Sequence, residues 1–251
     1  MPRLMDPTME VATIGGLQQF KFSGVRTEHL GATEYTLVTI ATDSTGSVSG
    51  FEADLRKAEI TAVEACKKSP RANNLLLRVL RFSTSFPGGI EEVHGFKPLS
   101  EIDTAGYPPI TPQGGTPLYD AVYSAVGATN AYATKLNADE YLTNGIAFVI
   151  TDGDNNASHA TPAMIRKEIE QAVKGEHIES LVSVLIGINT TSCKHFLEDF
   201  QRDAGLTQYI DVGDVSKGKL AKLAAFVSQS VSSQSQSLGT GGPSQNIAAT
   251  I

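Results

Sequence analysis

Thr36-Leu37-Val38-Thr39-Ile40-Ala41-Thr42-Asp43-Ser44-Thr45-Gly46-Ser47-Val48-Ser49 is the stretch whose reading decides the fold. The β-branched, apolar run from Thr36 to Thr42 reads as a strand, and it stops at Asp43. Asp43-Ser44-Thr45-Gly46-Ser47 then sets one carboxylate and two spaced hydroxyls in a tight turn. A helical pattern follows at once, because Val48, Phe51, Leu55, Ala58, Ala62 and Ala65 recur at intervals of three and four. Hard oxygen donors clustered at the carboxyl end of a strand are what a Mg²⁺-type ion requires.

Working outward, the same alternation of strand and helix recurs. Residues 1–33 read as an N-terminal arm followed by an extra strand. That strand covers Gln19–Thr27, with Phe20, Phe22 and Val25 on one face, and it forms an antiparallel hairpin with Tyr35–Thr42. Leu75–Ser83 is a strand, and Ile90–Leu99 a weaker, mixed one that suits a short antiparallel edge strand. A Pro/Gly-rich loop over residues 100–115 leads to Gly114-Gly115-Thr116-Pro117, after which helical spacing runs from Leu118 to Tyr132. Asn144-Gly145 reads as a turn into the strand Ile146–Thr151, which also stops at an acid, Asp152. Thr161-Pro162 opens a helix. Leu181–Ile188 and Gln208–Val212 are strands, and each is followed by a helix. Residues 234–251, rich in Ser, Gln and Gly, read as a flexible tail. The expected fold is α/β: a doubly wound, Rossmann-like, mostly parallel sheet over residues 34–233 with helices on both faces. One antiparallel edge strand and the extra N-terminal strand complete it.

The totals narrow the function. At 251 residues the chain supports one α/β domain with a full core. A net charge of -7, with no basic run longer than two residues, argues against a nucleic-acid partner. No apolar run approaches the ~20 residues needed to span a bilayer, and the first ten residues lack the apolar core of a signal peptide. The two cysteines, Cys66 and Cys193, read as free thiols of a reducing compartment. These features lead us to expect a cytoplasmic protein without a membrane partner.

In a parallel sheet, ligands bind beyond the carboxyl ends of the strands. Asp43 and Asp152 both fall there, and the Gly114–Thr116 loop opens a helix on the same rim. Asp43, Thr45 and Ser47, spaced two apart in an extended loop, face one way. Thr116 adds a hydroxyl and Asp152 a second carboxylate. Each piece has a plainer reading: Asp43 or Ser47 as a helix cap, Thr116-Pro117 as an N-cap pair, Asp152-Gly153 as a turn. Asp152-x-Asp154-x-Asn156 resembles the start of a Ca²⁺ loop but lacks its Gly and closing Glu. Cys193-x-His195 lacks the partners of a zinc site.

The chain resembles the von Willebrand factor type A (vWA) domain with its metal-ion-dependent adhesion site (MIDAS). D-S-T-G-S matches the family's D-x-S-x-S through Asp43, Thr45 and Ser47, with Thr where Ser is commoner. G-G-T-P-L-Y-D-A supplies Thr116, and V-I-T-D-G supplies Asp152. Gly46, Gly115 and Asp154 stand behind these ligands, Asp154 as added negative charge. The resemblance implies one divalent cation, Mg²⁺ before Mn²⁺ or Ca²⁺, whose open position takes an Asp or Glu side chain from a partner protein. A non-enzymatic protein-interaction module is therefore expected. The alternatives are a metal-dependent hydrolase or phosphotransferase, for which no general base is evident, and an assembly domain with a structural metal.

Overall fold

In the computed structural model the run that ends at Asp43 is a central strand of one eight-stranded sheet. The structure describes residues 7–15, 20–174, 178–214 and 216–240. The strands are β1 (Met9–Thr13), β2 (Lys21–Val25), β3 (Glu34–Asp43), β4 (Leu75–Phe82), β5 (Ile90–Pro98), β6 (Leu142–Thr151), β7 (Leu181–Ile188) and β8 (Gln208–Gly213). The helices are α1 (Glu52–Lys67), α2 (Leu118–Ala138), α3 (Pro162–Lys174), α4 (Lys194–Ala204) and α5 (Lys217–Thr240). The sheet order is β1-β2-β5-β4-β3-β6-β7-β8. Strands β4, β3, β6, β7 and β8 run parallel, and β5 is antiparallel to β4.

Every residue of β3 from Tyr35 to Asp43 is buried, as a parallel strand covered on both faces must be. Its alternation feeds two cores. Leu37 and Ala41 join Leu76, Val149 and Leu185 under Val122 and Val126 of α2, Ile165 of α3 and Leu197 of α4. Val38 and Ile40 join Val79, Phe148 and Ile186 under Leu55 and Val63 of α1 and Phe226 and Val227 of α5.

Polar groups in the second core fix the loop that later carries Thr116. Arg81 of β4, 2% exposed, donates to both oxygens of the fully buried Glu59 on α1 at 3.2 and 2.7 Å. Its remaining N–H groups reach the carbonyls of Pro109 at 3.0 Å and Pro108 at 2.9 Å. Arg56 adds a bond to Tyr107 O at 2.7 Å. Residues 107–109 of the Pro-rich loop, which join no ladder, therefore have their carbonyls satisfied by two arginines.

Four details differ from the sequence reading. The extra strand β2 does not pair with β3, whose two edges are filled by β4 and β6. It pairs antiparallel with β1, from Met9↔Val25 to Thr13↔Lys21, and meets β5 at Gly24↔Phe96. Phe20, Phe22 and Val25 are buried on the side of α2, where Tyr132 stacks on Phe96. Residues 9–13 of the expected arm are thus a strand, and β5 is not outermost. Asn144-Gly145 lies inside β6 and is not a turn. A Cβ at Gly145 would come within 2.6 Å of Thr129 Cγ2, so this glycine permits close approach of α2. Finally, α5 runs to Thr240, past the expected start of the tail at 234. Leu238 is buried there, and the Gln234 amide donates to Ser180 Oγ at 2.7 Å. Residues 1–6, 16–19 and 241–251, which include parts of the expected arm, strand and tail, lie outside the described residues.

Candidate metal centre

Three loops meet beyond the carboxyl ends of β3 and β6, and backbone bonds join them. Ser44 N–H donates to Phe82 O at 3.1 Å, Gly46 N–H to Gly114 O at 3.0 Å, and Gln113 N–H to Ser44 O at 3.2 Å. Asn156 N–H donates to Thr116 O at 3.1 Å, while Thr116 N–H donates to Asn156 Oδ1 at 2.7 Å. The Gly114-Gly115 pair is required by space. Gly114 has φ +76°, and a Cβ on Gly115 would sit 2.8 Å from Asn156 Oδ1.

Within this frame the side chains form a continuous run. Asp43, with no exposed surface, accepts from Thr45 N–H at 2.9 Å and from the Thr151 hydroxyl at 2.8 Å. Thr45 Oγ1 and Ser47 Oγ are 2.9 Å apart, and Ser47 donates to Asp152 Oδ1 at 2.8 Å. Asp43, Thr45, Ser47 and Asp152 are thus linked in order. Ser47 is exposed and Asp152 half-buried, so the run opens to solvent on that side. Thr116 is only 4% exposed and is tied in through its backbone. It does not cap α2, whose N-cap residue is Pro117. Among the described residues its hydroxyl makes no hydrogen bond.

Gly46 and Gly115 supply the backbone contacts between loops, Gly115 through its bonds to Thr84 at 3.1 and 2.7 Å. Asp154 is exposed and joins no hydrogen bond or ion pair among the described residues. Its charge is felt at Tyr119 and Cys193, whose pKa values it helps to raise after burial.

The electrostatics of the pair are unfavourable without a cation. Burial pushes the Asp43 carboxyl up to about 6; the Thr45 and Thr151 hydrogen bonds oppose that shift and the charge of Asp152 adds to it. Burial also raises Asp152, against the bond from Ser47. No Lys, Arg or His pairs with either carboxylate among the described residues. Nor do three His, Cys, Asp or Glu side chains cluster there in the manner of a zinc or all-carboxylate site. The donor set is two carboxylates and neutral hydroxyls, which fits a small hard cation that keeps some water.

Several residues here escaped the sequence reading. Thr151 immediately precedes Asp152 at the end of an apolar strand, and that position was its only signal. Asn156, seen in the sequence as part of an incomplete Ca²⁺ loop, instead clamps Thr116. Asp120, 1% exposed, accepts from His159 N–H at 2.9 and 3.1 Å and from Ala160 N–H at 2.7 Å. It ties the start of α2 to the loop that carries Asp152. Its signal was a carboxylate on the apolar face of α2.

No family profile matches the sequence, and no curated protein matches it. Solved structures do match. Proximal thread matrix protein 1 from the mussel byssus, with a zinc-occupied MIDAS motif, overlays at a TM-score of 0.51 and 16% identity, covering 80% of this chain and 46% of that one. The fold is that of a vWA domain. The pilus adhesin SpaC of Lactobacillus rhamnosus GG, in its open conformation, overlays at a TM-score of 0.53 and 12% identity, covering 92% of this chain and 33% of that one. The SpRpn10 VWA domain overlays at 0.48 and 11% identity, covering 76% and 94%. This chain spans about half the length of the byssus protein and a third of the adhesin. Among the described residues, no helix is long and apolar enough to cross a membrane.

Proposed function

We propose that this vWA chain is a protein-interaction module that works through a bound divalent cation. Asp43, Thr45, Ser47, Thr116 and Asp152 would hold the cation, directly or through water. The observation that carries the reading is the linked run from Asp43 to Asp152: two carboxylates joined through Thr45 and Ser47, with no Lys, Arg or His paired to either among the described residues. A divalent ion balances their charge, and neutral hydroxyls leave it enough residual attraction to take one more carboxylate. That carboxylate comes from an Asp or Glu of the partner protein. The chain's charge of -7 would otherwise repel such a partner, so the ion supplies the local attraction. Mg²⁺ is favoured over Mn²⁺ and Ca²⁺ if the five protein groups leave part of the coordination shell to water.

The module is non-enzymatic on this reading. The imidazole of His159 is engaged by Asp120, Nδ1 to Oδ2 at 3.2 Å. The Cys193 thiol, near the Asp152 carbonyl, is held protonated by burial and by the charges of Asp154 and Asp152. Neither is poised as a base or nucleophile. The two free thiols, Cys66 and Cys193, support a cytoplasmic setting. Nucleic acid and membrane are not partners on this reading.

The test is capture of partners from the native lysate in Mg²⁺ and in EDTA, with Asp43→Ala alongside. Partners should be retained only by the wild-type chain with metal. Unchanged capture in EDTA, or by a folded Asp43→Ala protein, would sink the proposal.

A further inference from the structure

β1 is the outermost strand at one end of the sheet, and its ladder with β2 determines which backbone groups it has left. Ile14 N–H donates to Phe20 O at 2.9 Å and Arg26 N–H to Thr8 O at 2.8 Å, so the even-numbered residues carry the bonds to β2. Met9, Val11 and Thr13 alternate with them. Their N–H and C=O groups point away from the sheet and meet no partner among the described residues. Ser23, directly across from Val11, sends its own N–H the opposite way, to the Glu92 carboxylate on β5 at 3.1 and 3.2 Å.

This edge lacks the usual guards against pairing. Met9–Thr13 contains no proline, no basic residue and no bulge. Its one charge, Glu10, is taken by Lys135 of α2. Val11 is 54% exposed. The opposite edge differs. There β8 carries Asp211, paired with Lys194 at 3.2 Å, and its ladder is broken between Gly187 and Ile188.

We propose that β1 pairs with β1 of a second copy of this chain, antiparallel about a two-fold axis through Val11. The segment is complementary to itself. In this register Val11 meets Val11, and Met9 meets Thr13 on both sides of the axis. Each outward N–H then finds an outward C=O. A shift of two residues leaves one end of each strand unpaired, and a shift of one turns the bonding groups away from each other. Glu10 falls opposite Ala12, so no like charges lie directly across from each other. The contact is isologous, so it closes as a dimer and does not propagate. It is independent of the candidate metal centre, which lies beyond the carboxyl ends of β3 and β6, with β2, β5 and β4 between β1 and β3 in the sheet.

Sedimentation equilibrium of the full chain tests this. A reversible dimer of twice 26.6 kDa is expected, unchanged by EDTA. Val11→Lys and Val11→Pro should each weaken it at least about tenfold, because one puts like charges at the axis and the other removes an outward N–H. Neither touches a bond to β2. Leu142→Lys, at the other large apolar side chain exposed among the described residues, should leave the dimer intact. Hydrogen exchange gives a readout free of substitution. The amides of Met9, Val11 and Thr13 should gain protection as concentration rises, whereas those of Glu10 and Ala12 should be protected throughout. A monomer at all concentrations overturns the proposal. So does a dimer that survives both Val11 variants, or dimerisation without added protection at the three odd-numbered amides.

Discussion

Replacing Asp43 by Asn should stabilise the metal-free protein at neutral pH and remove its response to Mg²⁺. Asp43 ionises at about 6 in the fold against an ordinary 3.8. The difference is about two pH units, or ~3 kcal/mol. A carboxyl whose folded pKa is raised adds stability at low pH, fully present below about 3.8 and lost as pH rises through about 6. At pH 7.5 that contribution is gone, and the metal-free fold holds an uncompensated buried charge. The Asp43→Asn side chain would carry no charge, and its amide can still meet Thr45 N–H and the Thr151 hydroxyl, at a cost of about 1 kcal/mol for weaker bonds. The net gain in EDTA at pH 7.5 is therefore about 2 kcal/mol, or roughly 4–8 °C in Tm for a chain of this size. At pH 4 most of the difference should vanish. Saturating Mg²⁺ should raise the wild-type Tm, by about 2.7 kcal/mol of stability at a hundredfold excess over Kd, and leave the Asp43→Asn variant unmoved. Scanning calorimetry of both proteins across pH, in EDTA and in Mg²⁺, reads all three. The reasoning fails if the variant is the less stable protein in EDTA at pH 7.5, if the gap between the two does not depend on pH, or if Mg²⁺ shifts both equally.

Thr116→Val keeps the shape of a buried side chain but removes its hydroxyl; titration calorimetry should show Mg²⁺ affinity down about tenfold, and Thr116→Ser should restore it. Gly115→Ala drives a methyl to within 2.8 Å of Asn156 Oδ1, so the Asn156 clamp on Thr116 should open. Mg²⁺ affinity should fall while urea denaturation shows a loss of only about 1–2 kcal/mol. Arg81→Met strands the buried Glu59 carboxylate and frees the loop at Pro108 and Pro109, which should cost about 3–5 kcal/mol in urea denaturation. Adding Glu59→Leu should recover most of that stability, leaving a smaller deficit from the two unpartnered carbonyls.

The readable parts of this chain were those whose environment is uniform along the sequence. Both faces of β3, β4 and β7 are buried, so each appears as a mainly apolar run with few polar interruptions, and its end marks the rim where ligands gather. Asp43 ends one such run, Thr45 and Ser47 follow it, and Asp152 follows the similar run of β6, so the sequence singles these residues out as candidate ligands. What was missed depends on contacts far away in sequence. Asn144-Gly145 has the composition of a turn, but Gly145 is there to make room for α2. Met9–Thr13 is too short and mixed to show a period, and its pairing depends on β2. Residues 232–240 have little intrinsic preference for helix, and bonds from Arg71 and to Ser180 hold them in place.

The same distinction explains why Asp120 and Asn156 matter to the centre although neither has a place in the ligand set read from the sequence. The loop after β6 must carry Asp152 to Ser47, yet it has no regular structure of its own. It is held by Asp120, on the segment that bears Thr116, which accepts from His159 and Ala160 N–H, and by its own Asn156, which accepts from Thr116 N–H. The Thr116 segment is in turn held by Gly46, and residues 107–109 upstream of it by Arg56 and Arg81. The carboxylates are therefore positioned by neutral amides, and by buried charges directed at carbonyls. Nothing in that framework offsets their own charge. On the proposed reading, a framework that brings two carboxylates together with no counter-charge among the described residues suits a cation that arrives from solution.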